Sequence, residues 1–147
     1  MNAIAEIENR FDTGGHCNDL LYTPISEDVG CRIHRVYEFA YEGDAEAWRA
    51  FVVKVLADPV RDLVHDDGKP AVTDYKFYID YGLKPGCLDL EKEYLLRFYR
   101  ELETPGFTLT DLRIVHRVYV LGDLDPDRLV KDLINPVIHT WNVHHAV

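Results

Sequence analysis

The tetrapeptide HRVY is read twice in this chain, as His34-Arg35-Val36-Tyr37 and as His116-Arg117-Val118-Tyr119, and the residues around it decide the fold. The stretch HRVYEFAYEGDAEAWRAFVVKVLADPV, from residue 34, and the stretch HRVYVLGDLDPDRLVKDLINPV, from residue 116, follow one plan. Each runs from HRVY to Gly-Asp, then through an amphipathic helical stretch, and stops at Asp-Pro-Val or Asn-Pro-Val. A shared order of strand, cap, helix and helix stop predicts a duplicated unit. Alternation on the second HRVY strand puts Leu112, Ile114, His116, Val118 and Val120 on one side, and Arg113, Val115, Arg117, Tyr119 and Leu121 on the other. On the first, Ile33, Arg35, Tyr37, Phe39 and Tyr41 form an aromatic side that water seldom faces. Packing on both faces is expected, by the other repeat or by another chain.

Outward from the second copy, YKFYIDY (75–81) alternates as a strand. Leu83, Lys84, Pro85 and Gly86 follow as a turn in which proline fixes φ and glycine accepts φ > 0. Asp89 is placed to cap a helix, with Glu91 in its first turn and Leu90, Tyr94, Leu95, Phe98 and Leu102 as its apolar stripe. Thr104-Pro105-Gly106 stops it, and a strand over 112–121 follows. Asp125 and Pro126 open a short helix, Asn135-Pro136 ends it, and VIHTWNV (137–143) reads as the last strand. The result is β-α-β-α-β over residues 74–143.

The first copy carries a helix with Trp48, Phe51, Val52, Val55 and Leu56 inward, capped by Asp44 and ended by Asp58-Pro59, then VRDLVH as a strand. Upstream, IAEIENRFDTGGHCND matches KFYIDYGLKPGCLD loosely, and no amphipathic helix fits between Asp19 and Cys31. The chain therefore divides into a degenerate copy at 1–66, a linker at 67–73 and a complete copy at 74–147. Three helices suffice for one face of the sheet.

Composition narrows the function. Apolar residues make up 47% and charged residues 29%, as in globular proteins, and the net charge of −10 opposes binding to a phosphate backbone. No run approaches the roughly 20 apolar residues of a membrane span, and MNAIAEIENRF lacks the pattern of a signal peptide. A cytoplasmic protein is the expectation. Cys17, Cys31 and Cys87 form no CxxC pair. The chain contains no Gly-rich phosphate loop, HExxH or GxSxG. His139, His144 and His145 lack acids or cysteines at ligand spacing and read as surface histidines, not a metal site. His34 and His116 read as hydrogen-bonded strand residues, and Asp80, Asp89, Glu91 and Glu93 as caps or solvated acids.

At YGLKPGCLDLEK, LRIVHRVY, GDLDP and LINPVIHTWNV the sequence resembles the PurS family, the small subunit of phosphoribosylformylglycinamidine synthase. The pattern falls on Leu83, Lys84, Pro85, Gly86, Leu88, Asp89, Arg113, Leu133, Asn135, Pro136 and Val137, and more weakly covers 3–66. It departs where the family's Asp-Pro-x-Gly is Asp89-Leu90-Glu91-Lys92 and where its Gly-Lys is replaced at Val115-His116-Arg117. The resemblance implies an α+β, PurS-like tandem with a mostly antiparallel sheet and helices on one face. It implies a non-catalytic, oligomeric subunit of an ATP-dependent ligase in purine biosynthesis, without a metal or cofactor of its own. PurL-type synthetase and PurQ-type glutaminase partners would use ATP, Mg and glutamine, and ammonia would pass between them. The implied partner-contacting residues are Leu83, Lys84, Pro85, Gly86, Asp89, Arg113, Arg117, Asn135 and Pro136. Three readings stay beside it: a regulatory module binding a ligand at the seam of the repeats, the N-terminal part of a longer single-chain synthase, and a small enzyme using His116 or His139.

Overall fold

The computed structural model describes residues 1–11, 14–25 and 27–146. Asp12 and Thr13, within the expected glycine turn of the first copy, lie outside the described residues. Seven strands form one sheet: β1 (Asn2–Asn9), β2 (Gly15–His16), β3 (Gly30–Gly43), β4 (Asp62–His65), β5 (Phe77–Leu83), β6 (Phe107–Val120) and β7 (His139–His145). Three helices accompany them: α1 (Ala45–Val55), α2 (Leu90–Arg100) and α3 (Pro126–Leu133). Their N-caps are the expected Asp44, Asp89 and Asp125, each accepting a hydrogen bond from a first-turn backbone N–H. Between β1 and β3 the described helical structure is a single 3-10 turn, Cys17–Asp19. Among the described residues no helix is long and apolar enough to cross a membrane.

The sheet is antiparallel throughout, in the order β4-β1-β3-β6-β5-β7, with β2 against the start of β3. The order is a palindrome. In each half the first strand lies between the other two, and the long strands β3 and β6 pair from Cys31↔Val120 to Gly43↔Phe107, with one irregularity at Ala40/Tyr41. The pairing corrects the literal reading of the repeat. His34 stands opposite Arg117, and Arg35 opposite His116, so the two histidines lie on opposite faces. A two-fold axis relating antiparallel neighbours runs normal to the sheet and preserves faces. Equivalent positions on β3 and β6 therefore differ by an odd number of residues, and the two tetrapeptides are out of phase.

All three helices cover one face. Tyr37, Phe39 and Tyr41 are buried there with Trp48, Phe51 and Val52 of α1 and Leu95 of α2. The rings of Tyr41 and Trp48 stack with centroids 5.4 Å apart, and Phe39 meets Trp48 edge-on at 5.5 Å. The aromatic side is thus covered by helices of its own chain, where the sequence left another chain open. At the other end α3 buries Leu129 against Phe77, Ile79, Val118 and Val120, beside Cys17, Leu21, Val29 and Cys31.

The helix α2 is turned relative to the expected stripe. Leu95 is buried, whereas Leu90, Tyr94 and Phe98 remain 72%, 61% and 39% exposed. Polar anchors fix this rotation. Tyr99 Oη donates to Phe107 O at 2.9 Å and accepts from Leu109 N at 3.1 Å, and Glu91 accepts from Tyr37 Oη at 2.6 Å.

Glycine is required at Gly82, where a Cβ would stand 2.7 Å from Ile114 O of β6. Gly82→Ala is expected to lower unfolding stability by about 1–3 kcal/mol. Chemical denaturation checks this as a lower midpoint at unchanged slope.

Candidate functional site

At one end of the sheet, the turn after β5 and the turn after α3 are joined by hydrogen bonds. Cys87 N donates to Lys84 O at 3.1 Å, closing a turn whose Gly86 has φ of 93°, the left-handed region that a side chain resists. Lys84 N donates to Ile138 O at 2.8 Å. Asn135 organises the second turn: its carbonyl accepts from His139 N at 2.8 Å, its Oδ1 from Val137 N at 3.0 Å, and its N–H points to His139 Nδ1 at 3.0 Å. Pro136 follows it and holds the chain in the bend.

Leu83, Lys84, Pro85, Gly86, Asp89 and Arg113 line one cavity of about 230 Å³. Arg113 is held at its place by Thr140 Oγ1 at 2.7 Å and faces Glu38 at 3.8 Å. Leu88, Leu90, Val137 and Ile138 rim the two turns and remain exposed. The corner is polar, with exposed apolar side chains beside it.

Of the residues expected at a partner contact, Arg117 lies apart. It is buried on the helix-free face, where Arg117 Nη1 meets Glu6 Oε1 at 2.8 Å. Its Nε and Nη2 grip both oxygens of Asp80 at 2.7 and 2.9 Å, and its plane lies 4.5 Å from the Tyr78 ring centroid. Glu6 also receives Tyr119 Oη at 2.7 Å and the ring nitrogen of His34 at 2.5 Å. The linker closes over them, with Ala71 N near Glu6 Oε1 at 3.3 Å and Tyr119 Oη at 3.2 Å. Burial by itself would raise the Glu6 carboxyl. The hydrogen bonds from His34 and Tyr119 and the charge of Arg117 outweigh it and hold the group below its ordinary range. Burial, with Glu6 as acceptor, pushes the Tyr119 hydroxyl well upward.

A second concavity opens on the helix face between α2 and α3. Tyr81, Asp89, Glu91, His116, Leu133 and His139 line about 340 Å³ there. Its floor is Gly82 of β5 with Ile114 and His116 of β6. Tyr81 lies 5.3 Å from both the His116 and His139 rings. Partial burial, and then the neighbouring His116, lower the His139 pKa. Local sequence marks Tyr81 as a strand residue and Glu91 as a first-turn acid; the signal that points to this concavity is Arg35 and His116 on an otherwise apolar side. Among the described residues no three His, Cys, Asp or Glu side chains gather as metal ligands.

No family model, curated protein or solved structure matches the chain.

The Glu6 cluster makes acid sensitivity predictable. A carboxyl whose pKa is depressed by folding stabilises fully above its ordinary value of 4.5 and loses that contribution as pH falls through the lower folded value. Glu6→Gln is expected to cost about 3–5 kcal/mol at neutral pH, because it removes the charge opposite a buried arginine. The variant should also show a shallower decline below pH 4.5 than the parent. Urea titrations across the acid range check both.

Proposed function

We propose that this chain is an accessory subunit of a glutamine-dependent phosphoribosylformylglycinamidine synthase, built as a tandem of PurS-like units. It works in the cytoplasm, as a free subunit or as the N-terminal part of a longer synthase. It holds a PurQ-type glutaminase against a PurL-type synthetase, so that ammonia from glutamine reaches the ATP- and Mg-dependent site without escaping into water. The chain itself contributes contact surfaces and no chemistry.

The observation that carries this reading is the convergence of the 83–86 turn with Asn135-Pro136. These two segments, 49 or more residues apart in the numbering, are joined by the Lys84 N to Ile138 O hydrogen bond. They are also the segments on which the PurS resemblance rests. Exposed Leu88, Val137 and Ile138 beside them give the apolar area that an assembly contact needs. The palindromic strand order supports the tandem: each half is a three-stranded antiparallel unit with its first strand central. Arg117 drops out of the contact set because it is buried.

A regulatory module is the second reading, and the cleft lined by Tyr81, Glu91, His116 and His139 favours it. Calorimetric titration with amino acids and nucleotides separates the two, since a scaffold gives no heat of binding.

The purified chain is expected to hydrolyse neither glutamine nor ATP, and to restore glutamine-dependent amidation of formylglycinamide ribonucleotide when added to synthetase and glutaminase subunits. Pro85→Ala combined with Gly86→Ala frees φ at the first position and strains the second. The pair should leave the fold intact and weaken assembly about tenfold or more through the ordering it adds. Unchanged assembly and turnover in the double variant would remove the turn from the contact.

A further inference from the structure

We infer that a second copy of this chain docks on the outward face of α2, with the two helices antiparallel across a two-fold axis. The inference stands on α2 alone and does not rest on the synthase reading.

Leu90, Tyr94 and Phe98 recur at i, i+4 and i+8, so they form one continuous ridge on the side of α2 away from the sheet. They are 72%, 61% and 39% exposed, and the Tyr94 and Phe98 rings meet edge-on with centroids 4.8 Å apart. Phe98 also borders an apolar cavity of about 500 Å³ between α1 and α2, walled by Ala47, Ala50, Val55 and Leu102. The ridge therefore continues into a recess. Nothing in the fold of a single copy explains why a helix anchored by Leu95, Tyr99 and Glu91 carries a second apolar side.

Charge identifies the occupant. The first turn of α2 is acidic, with Glu91 and Glu93, and the last turn is basic, with Arg97 and Arg100. Glu93, Arg97 and Arg100 lie at i, i+4 and i+7 and share one flank of the ridge. A two-fold axis perpendicular to both helices sets this flank against the same flank of the other copy, running the opposite way. Each Glu93 then lies within one turn of Arg97 of the other copy, while Leu90 of one copy lies near Phe98 of the other and the two Tyr94 rings meet at the centre. A parallel pair would set like charges together.

Within the chain, among the described residues, Glu93 and Arg100 have no ion-pair partner, and Arg97 has only the exposed Glu101 at 3.4 Å. The net charge of −10 disfavours an anionic lipid surface as the occupant. A helix of this length spans about 16 Å, so its contact is small beside the roughly 800 Å² per partner of a standard interface. Self-association through so small a contact is expected to be weak and is sought at high concentration.

Sedimentation equilibrium of the purified chain over a micromolar to near-millimolar series tests this. The expected limits are the 17.0 kDa monomer and twice that mass. Tyr94→Glu, on the solvent side of α2, should stay monomeric throughout with an unchanged circular dichroism spectrum. Glu93→Arg and the pair Arg97→Glu/Arg100→Glu should each weaken self-association about tenfold, since like charges then face each other. An equimolar mixture of those two variants should recover a mixed dimer, and this arm decides the matter if Tyr94→Glu disturbs folding. A chain monomeric at every concentration overturns the inference, even if it binds a synthetase or glutaminase through α2. So does a dimer that the charge variants leave unchanged, or a mixture no tighter than its components. Because the purified chain is measured alone, failure here leaves the synthase reading untouched, and failure to reconstitute a synthase leaves this one untouched.

Discussion

The guanidinium of Arg117 is the knot on which the rest of the sheet depends. It stands on β6, reaches Glu6 on β1 in the first half, and grips Asp80 on β5 in the second. His34 on β3 completes the set by meeting the other oxygen of Glu6. One cation thus connects all four central strands on the side that no helix covers. A buried ion pair adds little net stability over apolar packing, because desolvation offsets most of the attraction. Its value lies in register. A slip of one residue along β6 would turn Arg117 into the helix-side core and leave the buried Glu6 and the half-buried Asp80 unmatched, which costs far more than any single contact gains.

That knot also explains the linker. A segment joining two halves could have remained a solvated spacer. Instead Ala71 N approaches both Glu6 and Tyr119, Val72 is buried, and Tyr75 packs against the Tyr78 and Tyr119 rings. The segment shields the polar cluster from water, where its hydrogen bonds are strongest. The helix-free face is closed locally by this strap rather than by another layer.

On the opposite face the helices divide into two groups. The helices α1 and α2 pack over the aromatic end, and α3 with the 14–25 segment packs over the aliphatic end. The division leaves the middle of the sheet open at Ile33 and His116 and brings the 83–86 and Asn135-Pro136 turns to one corner. Surfaces that could meet other molecules are by-products of how the core is partitioned. They need no special element of their own.

Much of this was determined by the sequence itself. Strand alternation, the Asp44, Asp89 and Asp125 caps, the Asn135-Pro136 stop and the glycine turn are local matters of sterics and nearest hydrogen bonds. Residues a few positions apart settle them. The antiparallel direction of the strands does not follow from these patterns; only the family resemblance implied it, and the strand pairing decides it. Tertiary structure decided the rest. The shared HRVY letters fall on opposite faces because strand pairing, not spelling, sets phase. Arg117 reads as a surface residue until Glu6 and Asp80, distant in the chain, arrive beside it. Leu90, Tyr94 and Phe98 of α2 point outward because Tyr99 and Glu91 fix the helix rotation through partners on β6 and β3. Each of these turns on which distant groups become neighbours, and periodicity within a segment carries no information about that.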